Sequence, residues 1–167
     1  MWVRMDDFHV HHLADQARMR GFEETMRAHG LNDGIHIIEK SYGAAMMQGA
    51  DAMRQIYYEF PGVTAVVCNA DVFALSAIAE CRRLGLRVPE DISVVGFDDD
   101  DYTTIFSPAL TTIAVPAAEM GRHAARSLIG ALTAGRRVMS ARLDTQLVVR
   151  ESTSVPRIAT AKISPEV

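Results

Sequence analysis

The stretch TAVVCNADVFALSAIAECRRLGLRVPEDISVVGFDDDDYTTIFSPALTTI, residues 64–113, decides the fold. An apolar run at 65–68 ends at Asn69 and Asp71, and a helical pattern follows with Ala74, Leu75, Ile78 and Cys81 on one face. Gly85 stops that helix. The turn Val88-Pro89-Glu90-Asp91 leads into a second apolar run, 92–97, which breaks on four aspartates, Asp98, Asp99, Asp100 and Asp101. Both runs are nearly continuous in Val and Ile rather than alternating, which marks strands covered on both faces. Two such strands joined by a helix make a βαβ unit of a parallel sheet, and in such sheets the carboxyl ends of the strands carry the site. Here those ends hold Asn69, Asp71 and the four aspartates.

Toward the amino terminus, the spacing of Met19, Phe22 and Met26 predicts a helix that starts at Leu13 and stops at Gly30. Arg18 and Arg20 lie near its start, where positive charge opposes the helix dipole. They read either as solvent-facing or, in that unfavourable place, as ligand-facing. A short strand at 35–38 precedes Ser41, a cap for a helix in which Met46, Gly49, Met53, Ile56 and Phe60 recur at steps of three or four. A methionine stripe at that spacing reads as core filling. Asp71 reads as the cap of the next helix. Residues 1–12 show no clear period and read as an irregular terminus. His9, His11 and His12 lack sulfur or carboxylate partners at a metal-ligand spacing.

Toward the carboxyl terminus, 110–113 reads as a short strand and Pro116 opens a helix. Ala117, Met120, Ala124, Leu128, Ile129 and Leu132 form a continuous apolar band along it, and Gly135 closes it. Residues 142–149 read as a last strand and 153–167 as a tail. Strands alternating with helices predict a three-layer α/β/α fold with a mostly parallel sheet. The band on the last helix fits that fold awkwardly, since three other helices already cover the sheet.

The chain has 167 residues, a net charge of -4 and no basic run, so it carries no electrostatic footprint for nucleic acid or an anionic membrane. Cys68 and Cys81 read as reduced core thiols of a cytoplasmic protein. No stretch approaches the length of a membrane span, and the start lacks the apolar region of a secretory signal. No GxGxxG, Walker A, HExxH or nucleophile-elbow motif occurs, so no cofactor and no catalytic residue is expected. The aspartates are consecutive rather than alternate as in a calcium loop. They read as acceptors for a ligand or a helix end, as a solvated loop, or as a hard-cation site.

The segments GLRVPEDISVVGFDD, SPALTTI, PAAEMGRHAARSLI and LVVREST, in this order, resemble the effector-binding region of the lactose- and galactose-repressor (LacI/GalR) family of bacterial transcription regulators. The resemblance spans roughly 17–153. It implies a two-lobed sensor, similar to type I periplasmic binding proteins, that closes on a small ligand and follows an operator-binding helix-turn-helix and hinge. Nothing in the chain matches those DNA-binding parts or most of the first lobe. The resemblance therefore implies a fragment of the sensor: the second lobe at 13–152, including one late helix, 116–134, of the kind that the family returns to the first lobe. It further implies a carbohydrate- or nucleoside-like effector, a homodimer paired through the sensor lobes, and no enzymatic activity.

Residue by residue, Arg18 in ARMRGF occupies the place of the family's ligand-hydroxyl-binding arginine, and Asp98 in GFDD that of its ligand-binding aspartate. Tyr42 corresponds to an aromatic that stacks on the ligand. Family members carry Asn-Asp before the third helix. This chain reads Cys68-Asn69-Ala70-Asp71, so Asp71 fits the pattern while Asn69 stands one step early. Two other readings share parts of the pattern. A periplasmic-type solute-binding protein has the same fold. A carboxylate-metal hydrolase would be built around the four aspartates, but no nucleophile, base and oxyanion donors assemble from the motifs.

Overall fold

The computed structural model describes residues 2–6, 13–41, 45–135, 137–138 and 140–156. In chain order these form β1 (Trp2–Asp6), α1 (Leu13–Ala28), β2 (Ile37–Ser41), α2 (Ala45–Glu59), β3 (Ala65–Cys68) and α3 (Asp71–Arg83). They continue as β4 (Ser93–Val95), β5 (Thr112–Ala114), α4 (Ala117–Ala134) and β6 (Gln146–Val148). The main sheet has the order β2-β1-β3-β4 and is parallel throughout. β5 and β6 pair antiparallel, and single bridges from Val95 to Thr111 and from Asp98 to Ala114 carry β5 onto the edge of β4.

This order fixes where the helices go. The chain runs from β1 outward to β2, then returns across β1 to β3 and continues to β4. With right-handed crossovers, the reversal places α1 on one face and α2 with α3 on the other. α2 and α3 pack on one another, and the expected three layers are present. Their shared core holds Met53 and Ile56 of α2, Ala74, Ala77 and Cys81 of α3, and Val66, Cys68 and Val94 of the sheet. Gly49 permits the close approach of the two helices: a Cβ there would lie 2.1 Å from Ser76 Oγ and 2.2 Å from the Phe73 carbonyl oxygen. Across the same seam the buried Glu80 accepts a hydrogen bond from Arg54 at 3.0 Å, and within α3 it accepts one from Arg83 at 3.2 Å. Both cysteines are free and buried, and burial pushes each thiol up to about 12.

The amino-terminal reading needs correction. Residues 1–12 were expected to be irregular, yet Trp2–Asp6 forms β1, an interior strand between β2 and β3. Five residues are too few for periodicity to register, and the pairing partners lie 35 residues and more away, at Ile37 and Val67. The stabilisation is non-local and leaves no local mark. His9, His11, His12 and Tyr42 lie outside the described residues. The start of the expected tail is likewise tied down. Ser154 N–H donates to Ser93 Oγ at 3.1 Å, and Ser93 Oγ donates to the Ser154 carbonyl at 3.2 Å.

α4 keeps the awkward place read from its sequence. None of its residues is buried, and Met120, Leu128, Ile129 and Leu132 are half or more exposed. Val138, Ala141 and Leu143 of the returning chain border the same face and leave an open groove beside Met120 and Leu128. An apolar face of this length in water promotes association, since its removal is worth roughly 25 cal/mol per Å². Leu128→Asp should therefore leave urea stability within about 0.5 kcal/mol of the parent, as exposed substitutions do. Light scattering at high concentration should show less self-association. A large loss of stability would mean that α4 is core.

Candidate functional site

The carboxyl ends of β1 and β3 meet where the strand order reverses, and helices leave them toward opposite faces. That divergence is the topological position at which open parallel sheets form their ligand crevice. Arg18 reaches into it from the first turns of α1. Its guanidinium donates to the main-chain oxygen of Asn69 at 3.1 Å and to Asp15 Oδ1 at 3.4 Å, and stacks 3.8 Å above the Phe97 ring. Three constraints on one side chain give it a fixed direction before any ligand arrives. The solvent-facing reading of Arg18 is thus replaced by a half-buried one.

Asp98 follows β4 and adopts φ of 110°, with Asp99 at 61°. Non-glycine residues hold such angles when their surroundings over-determine them. Asp98 N–H donates to the Ile113 carbonyl at 2.9 Å, and Asp100 N–H donates to Asp71 Oδ2 at 2.9 Å. Arg150 grips the loop from the other side, donating to Asp99 Oδ1 at 2.6 Å, the Leu110 carbonyl at 2.8 Å and Thr103 Oγ1 at 3.1 Å. Asp100 accepts from the Tyr102 hydroxyl. No side-chain hydrogen bond holds the Asp98 carboxylate among the described residues. Partial burial raises its pKa above the ordinary carboxylate range, Arg18 opposes that rise, and Asp71, Asp100 and Asp15 add to it.

Asp71 has a different position from the one its sequence context indicated. Ala70 occupies the cap of α3, and Asp71 is the first helical residue. Its carboxylate is fully buried, accepting from Thr112 Oγ at 2.5 Å through one oxygen and from Asp100 N–H through the other. It ties α3, β5 and the aspartate loop together, so both oxygens are already occupied. Gly96 makes room for it: a Cβ there would lie 2.2 Å from Asp71 Oδ1. Asn69, by contrast, is 7% exposed, and its side-chain oxygen has no hydrogen-bond partner among the described residues. The structure thus gathers Arg18, Asn69 and Asp98 at one crevice and sets Asp71 beneath them.

Asp71→Asn should cost about 1–3 kcal/mol, because an amide oxygen accepts from one of the two donors while its NH₂ group opposes the other. The pH dependence carries the opposite sign to that of a salt-bridged aspartate. Burial raises the folded-state pKa of Asp71 while its hydrogen bonds oppose the rise. The folded chain therefore binds that proton more tightly than the unfolded chain. The stability difference between parent and D71N should move in favour of the parent as pH falls from neutral through the raised value. It should level off below the unfolded value of about 3.9. Urea titrations of both proteins from neutral pH downward check this.

Arg150, within LVVREST, has no local pattern in the sequence that marks its role. Ser152, fully buried beside it, donates through Oγ to the Val94 carbonyl at 2.6 Å and accepts from Thr111 N–H at 2.8 Å. Glu151 accepts from Ala109 N–H at 3.0 Å. The segments GFDD, SPALTTI and LVVREST are therefore one interlocked cluster under the aspartate loop. Among the described residues, no three His, Cys, Asp or Glu side chains group as a metal site. The four aspartates divide between an ion pair, a hydroxyl contact and open positions.

Comparison with known proteins gives the same picture. The model of the periplasmic binding protein-like domain matches residues 7–153. The HTH-type transcriptional repressor CytR of Escherichia coli K12 is 37% identical over 138 residues, covering 81% of this chain and 40% of that protein. The HTH-type transcriptional regulator CelR of Thermobifida fusca is 36% identical over 143 residues, 84% of this chain and 41% of its own length. A solved complex of a transcriptional regulator CelR with cellobiose superposes with a TM-score of 0.75 at 30% identity, covering 90% of this chain and 46% of that one. The chain spans about 40% of the length of the curated relatives described here.

Proposed function

Because this chain belongs to the periplasmic binding protein-like family, we propose that it is part of the effector-binding domain of a LacI-type transcription regulator, its ligand-sensing lobe. In this reading it holds a small, polar, hydroxyl-bearing effector at the crevice between β1 and β3. The family is one of ligand-responsive regulators, and the site binds rather than transforms. The observation that carries the reading is the pairing of a fixed Arg18 guanidinium with the uncommitted Asp98 carboxylate at that crevice. A guanidinium fork donates to hydroxyl oxygens and a carboxylate accepts from hydroxyl protons, so the pair grips a polyol without chemistry. Support for a carbohydrate-like ligand comes from the cellobiose held by the similar CelR.

In the same reading Arg18, Asn69 and Asp98 contact the effector, Tyr42 stacks on it, and Asp71 shapes the floor. The chain acts in the cytoplasm, pairs as a homodimer, and leaves operator DNA to a helix-turn-helix outside these 167 residues. Among the described residues no helix is long and apolar enough to cross a membrane. Differential scanning fluorimetry against pentoses, hexoses, disaccharides, nucleosides and polyols tests the reading. At least one class should raise the melting temperature in a dose-dependent way. A flat response to every class at millimolar concentration, together with a response to a divalent cation, would replace this reading with a metal site.

A further inference from the structure

Arg18 keeps part of its guanidinium in reserve. The two hydrogen bonds that hold it, to the Asn69 carbonyl and to Asp15, both leave from one nitrogen, Nη1. Among the described residues the hydrogens on Nη2 and Nε have no partner, and one anchored nitrogen leaves the guanidinium plane free to swing. The contact with Phe97 is of another kind, since Cζ lies 3.8 Å from the ring centre and over its face. A ring face attracts the cation without consuming an N–H bond, and stacking leaves the donor edge pointing sideways. The position of Phe97 in the chain gives this contact a second consequence, because Asp98 follows it directly. The Phe97 carbonyl accepts from Asp71 N–H at 2.8 Å, and Asp98 N–H donates to the Ile113 carbonyl at 2.9 Å. Thus α3 and β5 pin a single dipeptide that carries both the ring beneath Arg18 and the carboxylate of Asp98.

Resting on the effector-site reading above, we propose that Phe97 is a positioning residue: its ring sets the plane of the Arg18 guanidinium and holds the donor edge in register with the Asp98 carboxylate. Donor and acceptor come from elements far apart in the chain, α1 and the end of β4, and the stacked pair is what joins them. A group held in its binding geometry before the ligand arrives loses less freedom on binding, so the contact acts through affinity without touching the ligand. Leucine at this position keeps apolar bulk but lacks the ring quadrupole, whereas tyrosine keeps both. Phe97→Leu and Phe97→Tyr therefore separate the stacking from simple filling of space.

The test begins on the ligand-free, nitrogen-15-labelled chain, with the Arg18 Nε–Hε resonance identified by its loss in R18A. In the parent and in F97Y this resonance should be shifted upfield by the ring and should be ordered on the ps–ns timescale. In F97L the ring shift should vanish and the order parameter should fall below about 0.6. Urea unfolding checks that F97L is folded, and Phe97→Met replaces it if it is not. Calorimetry with cellobiose, glucose, ribose, xylitol, adenosine and cytidine supplies the second readout. For any of these that binds the parent, F97L should weaken binding about tenfold and F97Y less than about threefold. An Arg18 side chain as ordered in F97L as in the parent overturns the inference and leaves the effector-site reading standing, as does parental affinity in F97L. Equal losses in F97L and F97Y mean that Phe97 acts by shape, and overturn the stacking argument. Absence of binding by the parent to every compound overturns the effector-site reading and the role of Phe97 in it, whatever the order of Arg18.

Discussion

Replacing Arg150 by alanine should lower the stability of the chain by about 2–4 kcal/mol, more than any single change within the crevice. The side chain makes contacts to Thr103, Leu110 and Asp99, and it is 18% exposed against 26% for Asp99. Truncation leaves a partly buried carboxylate without its cation and a main-chain oxygen without its donor, both of which cost more than the bonds gained on folding. For a chain of this size the shift in melting temperature should be roughly 5–15 °C. Arg150→Lys should recover little of the loss, because an ammonium is a point charge and cannot span three acceptors held in a fork. The same variants should weaken effector binding, since the left-handed turn at Asp98 and Asp99 would lose its clamp. An R150A protein that melts with its parent would show that the loop is held by its backbone bonds.

Arg18→Ala and Asp98→Ala should each reduce effector affinity about 100-fold while leaving the fold intact. Hydrogen bonds to charged groups contribute roughly 1.5–3 kcal/mol each, and removing one partner leaves the opposite charge facing the ligand without its counter-ion. Stability should change little by comparison. Arg18 lies in the first turns of α1, and its contacts to the Asn69 carbonyl, Asp15 and the Phe97 ring are only half-buried. Asp98 is exposed and, among the described residues, contributes no side-chain hydrogen bond to the fold. Calorimetry with the ligand identified in the fluorimetric panel measures the first effect, and urea unfolding the second. Equal affinity in parent, R18A and D98A would move the effector elsewhere on the molecule.

How much of this was legible in the residues follows the range of the interactions. The βαβ unit at 64–97 was readable because its signal is local: two continuous Val-Ile runs, one helical face, and punctuation at Gly85 and Pro89. The carboxyl-end rule then pointed to Asn69 and Asp98. Arg18 was half legible, as a positive charge placed against a helix dipole; what fixes it is the Asn69 carbonyl 51 residues away. Asp71 looked like a helix cap because its sequence neighbours suggest one, whereas its oxygens serve Thr112, 41 residues on, and Asp100. Arg150 and β1 were missed for the same reason. Their partners are chosen by sheet topology, which no window of sequence displays. α4 was the opposite case: its apolar band was evident, and the structure leaves it exposed as the pattern implied.

The most direct measurement is an amide chemical-shift titration of the isotope-labelled chain with a neutral sugar or nucleoside that binds. The largest changes should fall at Arg18, Asn69, Phe97 and Asp98, with smaller ones along the Thr111 and Arg150 cluster, and they should disappear in R18A. Changes concentrated along α4 and its bordering groove, around Met120, His123 and Leu128, with Asn69 and Asp98 unmoved, would contradict the effector-site reading.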